Sequence, residues 1–371
     1  MKQLSKFPNQ ELLSAEGPFV TLYQKVELTP PNTEREQIKF KNQLKKAQNL
    51  LEEECEGPNC HALLEQMEKV PNDKSFWAVN KGTVAFFFTP TETYYYRLNT
   101  SIQDSVEFDE RPNVLPMIQE FQYIENYYLL CLNYDKFSLY QGMLNKIEPV
   151  ELPEDAPTTI EEVMGYEYTN PQQNTGGIAG SSNVHGTTEL SDEREKDLKN
   201  YYRAIDTFIF ENYTRESQLP VILFALTENQ AAFRDISKNK MLSEERIESS
   251  PSQLNDQQIE KEVAKLSERV IKERHNAVLS RYRETTPQYK LGDQLQDLVV
   301  ASMEGRIEIL FIDKNIEVKG SINEDGILDY GGDNNLLNQV ALSVMQKNGK
   351  VYVVERAQMP EMKDVAAILR Y

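Results

Sequence analysis

The stretch Asp297-Leu298-Val299-Val300-Ala301-Ser302-Met303-Glu304-Gly305-Arg306-Ile307-Glu308-Ile309-Leu310-Phe311-Ile312 reads as a helix running into a strand. Four consecutive apolar side chains, Ile309–Ile312, mark a strand covered on both faces, because a half-exposed strand would alternate. Downstream, the pattern predicts a further strand, a helix over Val340–Gly349, a strand at Val351–Val354 and a last strand at Ile368–Tyr371. The expectation is one sheet holding Ile309–Ile312, Val351–Val354 and Ile368–Tyr371, with helices packed on it.

Working back towards the start, two other units separate. Pro18–Tyr23 reads as a strand, and Pro30-Pro31 closes the segment after it. Thr33 and Glu36 form a candidate capping box for a helix whose apolar face is Phe40, Leu44, Ala47 and Leu51. Its other face carries Lys39, Lys41, Lys45 and Lys46, either a solvated surface or an RNA contact. Trp77–Phe88 and Thr93–Leu98 read as strands, followed by a polar stretch to Gln122. Tyr127–Leu132 and Phe137–Tyr140 form a hairpin about Asn133–Lys136. From Pro153 to Asp192 the chain is rich in Pro, Thr, Asn, Gln, Gly and Ser, and reads as a long flexible loop. Asp192 and Glu195 suggest the cap of a helix bearing Leu198, Tyr202, Ile205 and Ile209. Pro220–Leu226 is a buried strand, and about Asp256–Arg283 is a long charged helix. The division predicted is 1–125, an N-terminal α/β domain; 126–287, a middle domain with the loop 153–192; and 288–371, a C-terminal α/β domain.

Composition narrows the function. At 371 residues, 39% hydrophobic and 27% charged, the chain can support two or three cores. No run approaches the ~20 apolar residues that span a bilayer, and the first residues lack a secretory apolar stretch, so a cytoplasmic, membrane-free protein is expected. The charge of −19, from 40 basic and 59 acidic residues, argues against sequence-independent binding to naked nucleic acid. It leaves room for a local basic patch. Three cysteines suit a reducing compartment. Cys55 and Cys60, with His61 beside them, make half a zinc site; no second pair exists to complete it, so a plain loop between two helices is expected. Cys131 reads as core. With only His61, His185 and His275 the options for acid–base or metal work are thin, and the chain has no phosphate-binding or dinucleotide fingerprint. No metal and no cofactor is expected.

Asp297–Ile312 resembles the Ala-x-x-x-Gly-Ala-Val-Glu-x-Leu-Leu-Ile helix and strand of the archaeo-eukaryotic peptide-chain release factor and Pelota family. Val365–Tyr371, Val-Ala-Ala-Ile-Leu-Arg-Tyr, is similar to that domain's ending. Tyr128–Gly142, Pro220–Ala225, and Val20–Tyr23 with the lysine-rich helix extend the resemblance back along the chain, towards the family's bacterial branch. The resemblance implies three α/β domains, each a sheet packed with helices, the C-terminal one resembling kink-turn-binding ribosomal proteins. It also implies a factor that enters the ribosomal A site as a tRNA-shaped body. In release factors a His-Gly-x-Gly-Gly-Gln loop of the middle domain supports hydrolysis of peptidyl-tRNA. Here His185-Gly186 is followed by Thr187-Thr188-Glu189, Gly176-Gly177 is followed by Ile178, and no Gly-Gly-Gln occurs. The family's hydrolysis is therefore not expected, and no catalytic residue is assigned.

Pelota also lacks that tripeptide and acts on stalled ribosomes with a GTPase, so the resemblance implies ribosome rescue or hibernation. The implied contacts are Gly176, Gly177, His185 and Gly186 in the loop and Lys39, Lys41, Lys45 and Lys46 on the helix. The partners would be the ribosome's RNA and a translational GTPase, and the factor a monomer. Two alternatives stand beside this reading: a hydrolase acting on RNA or peptidyl-tRNA through the middle loop, and an acidic protein-interaction scaffold.

Overall fold

Strands β12 (Ile307–Asp313), β15 (Lys350–Val354) and β16 (Val365–Leu369) share one sheet, as Ile309–Ile312 and its companions predict. A computed structural model shows this; it describes residues 1–27, 33–55, 57–70, 76–77, 82–123, 126–143, 146–165, 185–323, 326–329, 331 and 334–371, and of 33 and 185–193 only the helical backbone. The sheet order is β11 (Lys290–Leu291), β16, β12, β15, with β12 and β15 parallel and β16 antiparallel to β12. Leu310 stands opposite both Val351 and Ala367, and all three are buried. Helices Leu295–Met303 and Leu336–Gln346 cover this face with Leu298, Val299, Val340 and Ala341. Tyr282, Phe311, Tyr352 and Ile368 form the other face's core. The last strand stops at Leu369, two residues short of the expectation, and Tyr371 is exposed. A small hairpin, β13 (Ser321–Ile322) and β14 (Leu328–Asp329), completes the region. Asn335 caps the following helix by accepting the Leu337 N–H.

The chain gathers into two compact units, Met1–Tyr123 with Ala277–Tyr371, and Ile124–Asn276. In the first, a sheet ordered β1 (Lys2–Leu4), β4 (Thr93–Leu98), β3 (Gly82–Phe88), β2 (Phe19–Val26), β5 (Ser105–Asp109) sits beside the C-terminal sheet. The apolar run Val84–Phe88 is central and sandwiched. Ala85 and Phe87 point into a core shared with Leu310 and Val340, while Val84, Phe86 and Phe88 meet Phe40, Ala47 and Leu51 of helix Thr33–Glu54. The strand starts at Gly82, not Trp77. Gly82 has φ +89°, and a Cβ there would lie 2.2 Å from the Leu98 carbonyl oxygen. Phe76 and Trp77 instead form a helical turn packed on Phe40 and Phe86. Glu36 turns inward, accepting from the Gln24 amide at 3.1 Å and the Glu27 N–H at 3.3 Å.

The polar stretch before Gln122 contains strand β5 and helix Leu115–Phe121. Behind them, the buried Asn338 amide donates to the Pro112 carbonyl at 3.0 Å and accepts the Val114 N–H at 2.9 Å. The N- and C-terminal portions are thus stitched inside one core. Cys55 and Cys60 form a disulfide, contrary to the expected plain loop. They end helix Thr33–Glu54 and open helix Pro58–Glu68, with Cα atoms 5.9 Å apart, within bonding reach.

The second unit holds a sheet ordered β10 (Leu242–Glu248), β9 (Val221–Ala225), β6 (Asn126–Leu132), β7 (Phe137–Met143), β8 (Lys146–Pro149). Strand β9 is interior: Leu223 packs with Tyr202, Ile205 and Ile209 of helix His185–Ile209, and Phe224 with Ile259 and Val263 of helix Asp256–Glu284. The 153–192 segment differs from its reading as loop. Ile160–Met164 is a helix, because Thr159 and Glu162 make a full capping box and Ile160 buries. The long helix begins at His185, seven residues before the proposed cap at Asp192. Glu195 pairs instead with Lys199 at 2.7 Å.

Candidate nucleic-acid interface

Helix Thr33–Glu54 is fixed by its apolar stripe, so the position of each lysine follows from 100° per residue. Lys39 and Lys46, seven apart, lie on one line. Lys41 and Lys45 lie on another, roughly a third of a turn away. The sequence suggests a single face for all four, and the helix divides them. Lys39 is half-buried, its ammonium 2.9 Å from Asp104 and 2.6 Å from the Lys25 carbonyl oxygen. It is committed to holding the helix against strand β2. Lys41, Lys45 and Lys46 are exposed and form no ion pair among the described residues. Between the two lines stands Ile38, 60% exposed. Arg35 continues the Lys39–Lys46 line and reaches Glu27 at 3.7 Å.

In the second unit, buried tyrosines seat the long helix. The Tyr201 hydroxyl donates to the Thr158 carbonyl at 2.9 Å, and burial drives its pKa far up. Tyr202 meets Phe233 edge to face and turns its hydroxyl towards the Asn133 carbonyl. These contacts tie the helix to the β6–β7 turn. Asp206, almost fully buried, accepts from the Lys238 N–H at 2.8 Å and from the Ser237 hydroxyl. His185 and Gly186 lie in the first turn of this helix, not in a loop. Gly176 and Gly177 fall outside the described residues.

Lys196, Lys199 and Arg203 share one side of the helix, at spacings of three and four. Sequence reasoning follows only that helix's apolar stripe and passes over them. The available signal is the charge alternation Arg194-Glu195-Lys196, followed at helical spacing by Lys199 and Arg203. Lys196 and Arg203 are not buried; Lys199 is bonded to Glu195.

No cluster of three or more His, Cys, Asp or Glu able to hold a metal occurs among the described residues. Burial pushes the Cys131 thiol up to about 12, which leaves it protonated and inert at neutral pH. His275 is buried and His61 exposed, and neither joins the other. No described helix is long and apolar enough to cross a membrane.

Residues 125–269 match the family described as Bacterial archaeo-eukaryotic release factor family 6. The match spans the second unit's sheet, all of helix His185–Ile209, which carries Lys196 and Arg203, and about the first half of helix Asp256–Glu284. Over those residues the chain is similar to that family, and the described residues form a mixed α/β structure. No curated protein matches the chain. Among solved structures, an archaeal translation termination factor, aRF1, is 12% identical over 98% of this chain and 96% of its own, with a TM-score of 0.24. Archaeoglobus fulgidus Pelota is 11% identical over 78% and 79%, TM-score 0.32. S. cerevisiae Dom34, described as a translation termination-like factor interacting with Hbs1, is 10% identical over 81% and 78%, TM-score 0.34.

Proposed function

We infer that the protein is a cytoplasmic, ribosome-associated factor that occupies the A site during rescue or hibernation, without hydrolysing peptidyl-tRNA. The observation supporting this most strongly is the family match over the middle domain. The absence of Gly-Gly-Gln from the sequence argues for occupancy instead of hydrolysis. Two basic surfaces serve the reading: Lys41, Lys45 and Lys46 on the N-terminal helix, and Lys196 and Arg203 behind His185 and Gly186. Against a charge of −19 these are basic surfaces that rRNA phosphate can approach. A role for Gly176 and Gly177 belongs to the same proposal, as does a translational GTPase partner and a monomeric state. So does a working division into domains at 125 and 287, each built on its own sheet.

The test is ribosome co-sedimentation of the Lys41→Glu, Lys45→Glu, Lys46→Glu variant at low and high salt. The triple change reverses three charges next to phosphate, and single exposed pairs contribute about 0.2–1 kcal/mol, so affinity should fall by at least about tenfold. The wild type should also weaken steeply with salt. Binding that ignores both the substitutions and the salt removes RNA contact by this helix. Lys39→Glu is the contrasting variant: it breaks the Asp104 contact and should lower stability.

A further inference from the structure

The bridge between Cys55 and Cys60 stands at a helix-to-helix corner that solvent reaches. Glu54, Gly57, Pro58 and Asn59 are exposed there, and a Cβ on Gly57 would touch nothing within 4 Å. Cys60 is buried and Cys55 half-buried, so an incoming group meets Cys55 first. The bond closes a ring of five positions only, and its constraint on the unfolded chain is smaller than that of a long loop. The corner packs without it: Leu51, Leu63 and Met67 bring both helices onto Val84, Phe86 and Phe88. In the reducing compartment expected of this chain, disulfides are usually transient, catalytic or redox-sensing. Exposed bonds are the labile ones, and this one meets solvent at Cys55.

The two sulfurs are not equivalent. Cys60 is the third residue of helix Pro58–Glu68, and the N-cap, Gly57, has no side chain to occupy that helix's first N–H groups. A thiolate at Cys60 is stabilised by those donors and by the positive end of the helix dipole. Cys55 directly follows helix Thr33–Glu54, at the negative end of its dipole and behind the exposed Glu52, Glu53 and Glu54. A thiolate there is disfavoured. In thiol–disulfide exchange the sulfur of lower pKa leaves faster. Attack at Cys55 with Cys60 as the leaving group therefore agrees with both access and charge. The mixed disulfide must then be resolved at a half-buried sulfur, which a thiol already tethered to it reaches more readily than a second molecule does. That favours a dithiol as the reductant.

We propose that Cys55–Cys60 is a reversible thiol–disulfide site reduced by a dithiol, and that its state sets how firmly the end of helix Thr33–Glu54 is held. One thiolate of the dithiol bonds to the Cys55 sulfur, the Cys55–Cys60 bond breaks, and Cys60 leaves as a thiolate that takes up a proton. The second thiol of the dithiol, once deprotonated, attacks its partner sulfur in the mixed disulfide and releases Cys55, which is protonated in turn. Two electrons and two protons pass to the protein, and the dithiol ends as a disulfide. Reoxidation runs the same steps backwards, with an oxidised dithiol as the acceptor. The inference draws on the proposed cytoplasmic placement but not on ribosome binding, and its tests use neither.

The probe is dithiothreitol acting on the full-length protein, with the reaction stopped by acid and the thiols located by mass spectrometry of peptides. Reduction without urea should run within about tenfold of its rate in urea, whereas a bond opened only by global unfolding would react about a thousandfold slower or more. Trp77, 1% exposed in the same core, should keep its folded fluorescence throughout. With glutathione in place of the dithiol, the acid quench should catch the mixed disulfide on Cys55 and not on Cys60. In the reduced protein the amides of Leu50–Glu54 should exchange hydrogen about tenfold faster, with those of Phe40–Leu44 unchanged. None of these readouts needs a variant. Reduction that waits for unfolding overturns the proposal and leaves the bridge a fixed staple. So does glutathione carried on Cys60, and so does hydrogen exchange that reduction leaves unaltered.

Discussion

Asn338 offers the sharpest test of the claim that the first and last parts of the chain share one core. Its amide satisfies two backbone groups near the end of the N-terminal sheet, the Pro112 carbonyl and the Val114 N–H, and it is 1% exposed. Asn338→Leu keeps the number and branching of side-chain heavy atoms and removes both bonds. Val114 is fully buried and Pro112 is buried beside it, so neither group can turn to water. An unsatisfied buried group costs about 1–3 kcal/mol, which gives roughly 2–6 kcal/mol for the pair. Trp77 is the sole tryptophan and sits 1% exposed in the same unit, so its fluorescence reports the unfolding of that unit in urea. The expected result is a lower midpoint with an unchanged slope. Asn334→Ala is the control: its amide makes one bond, to Asp109 at 3.2 Å, in a partly exposed position, and should cost under about 1 kcal/mol. If Asn338→Leu costs less than about 0.5 kcal/mol, the two portions do not depend on this lock.

Burial holds the Glu107 carboxyl above its ordinary value, offset by the Asn113 amide and reinforced by Glu317 and Asp109. A raised folded pKa means stability that is present below the unfolded value near 4.5 and lost as pH rises through the folded one, so Glu107→Gln should raise the thermal midpoint at pH 7, with the gain vanishing towards pH 4.5; equal gain at both pH values would refute this. Cys55→Ser opens a bridge spanning five positions, which chain entropy values at roughly 2 kcal/mol, and a reductant should have the same effect on the wild type and none on the variant in urea unfolding.

The elements that sequence reveals best are those buried on two faces. Ile309–Ile312, Val351–Val354 and Val221–Ala225 are runs that no other environment explains, and each is a central or covered strand. Half-exposed, polar edges are poorly legible, whereas the edge strand Val351–Val354 is read because both its faces are covered. Strand β5, Ser105–Asp109, is half-exposed and polar, and its pairing with Phe19–Tyr23 is set by tertiary contacts. Helix Ile160–Met164 is hidden by the composition of its neighbours, although its Thr159–Glu162 box is a local signal. The candidate site is legible in residue type but not in direction. Lysines at 39, 41, 45 and 46 look equivalent in a string, and only the placement of Asp104, more than sixty residues away, shows that Lys39 is spent within the fold. The disulfide is obscured for a different reason: spacing alone does not show whether the turn at Gly57 closes.

Competition at the A site addresses the central claim. Ribosomes carrying a P-site tRNA and an empty A site should bind the protein, and filling that site beforehand with aminoacyl-tRNA should abolish binding. The ester of the P-site peptidyl-tRNA should survive the encounter, as the missing Gly-Gly-Gln requires. Binding of equal strength to ribosomes with a filled A site, or none to either, would contradict the account.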